Sequence, residues 1–145
     1  RGDFDDVRWC LQNSRLPYSL LVNYPPIRIG VVHGHQVVPP GDPAALSALA
    51  RSMGADILVS GHTHKFDAFR RDGRFFINPG SATGAWSADQ PVNFSETGKA
   101  AHWELPHLLR VRYSLTVFDI QGTVVVVYVY QLIDGDVKVE KLECR

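Results

Sequence analysis

The chain has 145 residues, 45% of them hydrophobic and 21% charged, with 15 basic and 15 acidic side chains. That size suits one domain with a buried core, the apolar fraction excludes wholesale disorder, and zero net charge gives no electrostatic reason to expect nucleic acid or an anionic membrane. The longest apolar stretch, residues 123–133 (TVVVVYVYQLI), is too short to cross a bilayer, and two lone cysteines, Cys10 and Cys144, make neither a disulfide framework nor a metal-site spacing, which fits a reduced cytosolic compartment.

The chain starts at Arg1 and its one methionine is Met53, so a missing N-terminal part is expected. Gly2-Asp3-Phe4-Asp5 opens it, with Asp3 either a carboxylate ligand for a divalent cation or a solvated turn acid. Residues 7–22 (VRWCLQNSRLPYSLLV) lack clean periodicity and are expected to be an insertion. Residues 27–33 (IRIGVVH) read as a buried strand between Pro26 and Gly34. Asp42 caps the helix that follows and Pro43 takes its first position; Ala45, Leu46, Leu49, Ala50 and Met53 form its apolar stripe before Gly54 ends it. Residues 56–60 (DILVS) are a second buried strand, so strand, helix and strand predict a parallel βαβ unit.

Residues 65–77 (KFDAFRRDGRFFI) predict a hairpin about Asp72-Gly73. Residues 87–114 are a second aperiodic interval, again expected to be an insertion, with room for a short helix over 96–109. Residues 115–120, 123–133 and 137–142 predict an antiparallel meander. A parallel unit leading into hairpins implies an α/β protein, with one mixed sheet or two sheets packed face to face.

Four of the six histidines lie in two motifs, His33-Gly34-His35 and Gly61-His62-Thr63-His64, each directly after one of the parallel strands. Ligands of open α/β sheets bind beyond the strand carboxyl ends, so His33, His62 and His64 can converge there, and neutral imidazole ligates zinc, iron and manganese-type ions. Asn78-Pro79-Gly80-Ser81 either lines the same crevice or is plain turn chemistry, while His102 and His107 have no partners at ligand spacing.

HGH at 33–35, GHTH at 61–64 and NPGS at 78–81 together resemble the calcineurin-like metallophosphoesterases. The resemblance implies an αββα sandwich, here lacking its first strands and helices, with metal ligands at Asp3, His33, His62 and His64. Zinc or manganese is the ion it implies, held weakly or vestigially. Asp3 and Phe4 stand where active members carry an Asn ligand and a His that approaches the leaving oxygen. Phe4 cannot donate a proton, and losing a general acid typically costs about 10²- to 10⁴-fold. No D-x-H occurs in the chain, and its one G-D-x-x-D string, residues 2–6 (GDFDD), falls where the later G-N-H-D motif belongs; the resemblance thus leaves the first two motifs unmatched, and a degenerate, non-catalytic member is expected.

GDFD, NYP, HGHQVVPPGD, DILVSGHTHKFDAF, FINPGSATGA and VVYVYQLIDGDVKVEKLE are similar to one branch of that family, a protein-docking scaffold of the retromer complex in endosome-to-Golgi transport. This closer resemblance implies a cytoplasmic protein, peripheral on endosomes and touching membrane only through the complex. It places Val37 and Val38 against retromer's helical-solenoid subunit. It makes Val117, Tyr128 and Tyr130 a pocket for Leu-Pro loops from regulators of endosomal small GTPases. The alternatives are that the valines pack under their own loop and the tyrosines form cross-strand pairs. A divalent-metal phosphodiesterase and a structural metal domain are the competing functions.

Overall fold

In the computed structural model, which describes residues 1–3, 5, 16–85, 113–133 and 135–144, strand β1 (Ser19–Tyr24) leads into β2 (Ile27–Val32), helix α1 (Pro43–Met53) and β3 (Ile57–Ser60). Local chemistry sets the helix ends as expected from sequence. The Asp42 carboxylate accepts the Ala45 N–H at 2.7 Å, and Gly54, at φ 65°, donates its N–H to the Arg51 carbonyl. The βαβ expectation holds, with β2 and β3 parallel in the register Ile29↔Ile57.

β4 (Phe66–Arg71) and β5 (Arg74–Pro79) form the expected hairpin, Asp72 and Gly73 both taking the positive φ that a type I′ turn needs. β6 (Tyr113–Gln121), β7 (Val124–Ile133) and β8 (Asp136–Cys144) form the meander. Two sheets result, one of order β1-β2-β3-β5-β4 and one of order β6-β7-β8.

Alternation along the strands assigns each side chain a layer. Leu58 and Phe76 face α1 and pack with Leu46, Ala50 and Val32. Their neighbours Ile57 and Ile77 face the other way, onto Val125, Val127 and Val129 of β7. The sheets therefore stack face to face with α1 outside the larger one, giving three layers of the expected sandwich among the described residues. Each fully buried residue of this size contributes about 1.5–3 kcal/mol, so the β7 valines are what holds the small sheet to the large one. Where the sheets join, Ser114 Oγ donates to the Pro79 carbonyl at 2.6 Å and its N–H to the Ser81 carbonyl at 2.9 Å.

One expectation needs correcting. Residues 19–22, expected inside an insertion, form most of β1 and pair antiparallel along the edge of β2, Leu21 opposite Gly30. All six β1 residues are exposed, so no in–out alternation marks the strand. Residues 113 and 114, expected to end the second insertion, likewise begin β6. Residues 7–15 and 87–112 of the two expected insertions, the helix expected over 96–109, His102, His107 and Phe4 lie outside the described residues.

Candidate functional site

Two glycines let the histidine motifs meet. Gly34 has φ 111°, and a Cβ there would come within 2.6 Å of the Gly61 carbonyl oxygen. Gly61 in turn donates its N–H to the His33 carbonyl at 2.8 Å. The loops after β2 and β3 are thus bound back to back, and a side chain at position 34 would force them apart.

Beyond Gly61 the backbone folds tightly. Thr63 donates its N–H to the Gly61 carbonyl at 3.0 Å, closing a three-residue turn around His62 at φ 74°. His64, at φ 58°, is left-handed as well. Such conformations cost non-glycine residues about 1–2 kcal/mol each and persist where surrounding structure enforces them.

The turn brings His62 beside His33, with ring centroids 5.4 Å apart. Asp3 reaches both: its carboxylate lies 3.5 Å from His33 Nδ1 and 3.7 Å from His62 Nδ1. One donor atom from each of the three falls within 4.8 Å of the others, all partly shielded from solvent. Burial lowers the His33 pKa from its ordinary 6.5; Asp3 opposes this shift, whereas the His62 and His35 imidazoles add to it. His33 is therefore neutral at pH 7, the form that ligates. A carboxylate with two imidazoles fits a divalent transition ion and leaves coordination positions open.

Of the four expected ligands, Asp3, His33 and His62 come together. His64 does not join them: it is exposed and outside the cluster. Residues two apart share a side only on extended backbone, and the left-handed conformations at His62 and His64 break that pattern. Sequence reasoning missed His35, whose Nδ1 lies 3.0 Å from His33 Nδ1 and whose ring centroid is 6.3 Å from that of His62. Its place in the HGH motif was the available signal.

The Val37–Val38 loop also needs a correction. Val37 is only 4% exposed and belongs to the core beside α1, so it is not a surface anchor; Val38 is 80% exposed. The loop turns back through a hydrogen bond from the Val37 N–H to the Gly34 carbonyl at 3.1 Å, which tucks one valine under and leaves the next in solvent.

On the outer face of the small sheet, Val117 stands opposite Tyr128, and Tyr130 lies between Leu115 and Val139. Tyr128 is half-buried, while Val117 and Tyr130 are exposed. An open hollow of about 380 Å³ lies here, lined by Tyr113, Leu115, Val117, Tyr130, Leu132 and Val137. Of the three expected residues Val117 and Tyr130 line the hollow and Tyr128 does not; Leu115 and Val137 join it through cross-strand register, which single-strand spacing does not reveal.

Residues 1–97 match the model of the calcineurin-like phosphoesterase superfamily domain. The chain is 42% identical over 133 residues, 92% of its length, to the vacuolar protein sorting-associated protein 29 of Schizosaccharomyces pombe, and it spans 64% of that protein. It is similar to the crystal structure of wild-type Vps29 from Entamoeba histolytica complexed with Zn²⁺, with TM-score 0.76 and 33% identity over 100% of this chain and 67% of that one. Vps29 from Cryptosporidium parvum is similar too, with TM-score 0.74 and 36% identity over 98% of this chain and 66% of that one.

Proposed function

Because the chain belongs to the calcineurin-like phosphoesterase superfamily and, within it, to the Vps29 family, we propose that it works as a non-catalytic scaffold subunit of retromer in endosome-to-Golgi transport. The observation that carries this reading is the apolar outer face of the small sheet, where Leu115, Val117, Tyr130, Val137 and Val139 all stand exposed. A contiguous exposed apolar face marks a protein contact, and the Tyr113 and Tyr130 rings that line the hollow suit an inserted Leu-Pro loop. In this proposal the face takes regulators of endosomal small GTPases. Val38 meets the helical-solenoid subunit, vacuolar protein sorting protein 35. The protein sits on the cytoplasmic side of endosomes, held to membrane only through the complex; no helix among the described residues is long and apolar enough to cross one.

In this reading the histidine cluster is a vestige of the enzyme family. Asp3, His33 and His62 would hold one ion, zinc or manganese, as the zinc complex of the Entamoeba relative suggests. The bound ion would supply Lewis acidity. Hydrolysis also needs a proton for the leaving oxygen, and at the position where active relatives place a histidine this chain has Phe4. His64 is exposed and stands apart from the cluster. The convergence of the three ligands itself favours a second reading, a divalent-metal phosphodiesterase.

A Leu-Pro regulator peptide titrated against the chain tests the docking reading. Tyr130→Ala should weaken binding at least tenfold, because it removes one wall of the hollow. Affinity unchanged by Tyr130→Ala would leave the tyrosines as cross-strand packing and nothing more.

A further inference from the structure

We infer that Asn78 is the positioning residue of the metal cluster: its side-chain amide locks the GHTH turn in the conformation that presents His62. This rests on the metal reading of Asp3, His33 and His62 given above and names the group that holds their geometry. Asn78 is near the end of β5 and 7% exposed, and its side-chain hydrogen bonds run to Gly61, Thr63 and Gly80 rather than to the ligands themselves. Its Nδ2 donates to the Gly61 carbonyl at 3.1 Å and to Thr63 Oγ1 at 2.8 Å, bracketing His62 from both sides. Its Oδ1 accepts the Gly80 N–H at 3.0 Å. All three polar positions of the amide used here are thus engaged with backbone or hydroxyl, and the residue spans from the NPGS turn to the GHTH turn.

This arrangement answers a physical problem set by the turn itself. His62 and His64 hold left-handed backbone that imidazole residues seldom adopt unaided. The Gly61 carbonyl closes the turn by accepting the Thr63 N–H, and that same oxygen receives the Asn78 amide. Without the amide, the carbonyl keeps only its strained local bond and the turn is free to relax toward ordinary backbone, which would carry His62 away from His33 and Asp3. Groups that orient a ligand from behind in this way typically change metal affinity by about 10- to 100-fold when removed. Aspartate is the discriminating substitution. Its size matches asparagine and it still accepts the Gly80 N–H, yet it offers the Gly61 carbonyl and the Thr63 hydroxyl no amide donor.

The test is zinc alone, titrated into the 145-residue chain in competition with a chromogenic chelator, with cobalt absorption as a report of ligand geometry. Asn78→Asp should lower zinc affinity by about 10- to 100-fold and alter the cobalt spectrum. Ser114→Ala removes the neighbouring hydroxyl bond to the Pro79 carbonyl and serves as the stability control: it should lower the melting temperature without moving zinc affinity. If Asn78→Asp fails to fold, Thr63→Ala removes one acceptor of the amide and should weaken zinc binding several-fold, whereas Thr63→Ser should restore it. Zinc affinity unchanged in Asn78→Asp, or in Thr63→Ala where that variant replaces it, overturns the inference. If the unsubstituted chain takes up no zinc, the metal reading falls first and this one with it, an outcome distinct from equal binding by parent and variant.

Discussion

Val37 and Val38 are adjacent, chemically identical and oppositely placed, so substituting each in turn separates folding from docking. Val37 is 4% exposed among Val32, Leu46, Ala50, Leu58 and Phe76. Val37→Ala deletes two methyl groups from that core at about 0.8 kcal/mol each, and the cavity left behind raises the loss to about 1.5–3 kcal/mol. At about 2–4 °C per kcal/mol for a chain of this size, the melting temperature should fall by roughly 3–12 °C. Val38 is 80% exposed, so Val38→Asp should change stability by no more than about 0.5 kcal/mol. In the proposed complex, however, burying Val38 is worth about 1.5–3 kcal/mol, roughly 10- to 150-fold in Kd. A carboxylate in its place adds a desolvation penalty that takes binding below detection. Thermal melts and titration against the helical-solenoid subunit measure the two effects independently. A Val37→Ala chain that melts with the parent, or a Val38→Asp chain that binds as the parent does, refutes the reasoning.

Two further outcomes are expected. Gly34→Ala should destabilise the chain by on the order of 3 kcal/mol, since its Cβ would strike the Gly61 carbonyl at 2.6 Å, whereas Gly73→Ala, with open space around it, should lose only about 1–2 kcal/mol to backbone strain. Urea midpoints that fall equally in both variants would deny the contact between the motif loops. The Arg28 guanidinium and N–H hold the Asp56 carboxyl below its ordinary 3.8. A depressed folded pKa contributes stability that is fully present above about pH 4 and is lost as pH falls through the folded value. Because both side chains are about half exposed, Asp56→Asn should cost no more than about 1 kcal/mol at pH 7. Parent and variant should converge by pH 2, and a gap that widens on acidification would reverse the assignment.

The parallel βαβ unit was legible because its punctuation is local: Asp42, Pro43 and Gly54 bound the helix, and 27–33 and 56–60 are short, mainly apolar, β-branched-rich runs. From that unit alone, topology brought His33 and His62 to one edge although 29 positions separate them. What escaped depends on backbone detail inside turns. His64 was expected to follow His62 into the cluster, and only the left-handed conformations at both residues set them apart. His35 was passed over because where its ring lies is decided by the positive φ of Gly34. Val37 and Val38 carry no periodicity to assign one to core and one to solvent. β1 stayed hidden because both its faces are exposed on an edge, which leaves SLLVNY without the alternation of a half-buried strand.

As proposed, the chain would hold one metal ion and work as a docking platform without hydrolysing phosphoesters. Incubating the manganese-saturated chain with bis-p-nitrophenyl phosphate tests it most directly, with His62→Ala as the background. The account predicts p-nitrophenol release no faster than from the His62→Ala chain; turnover that His62→Ala abolishes would contradict it.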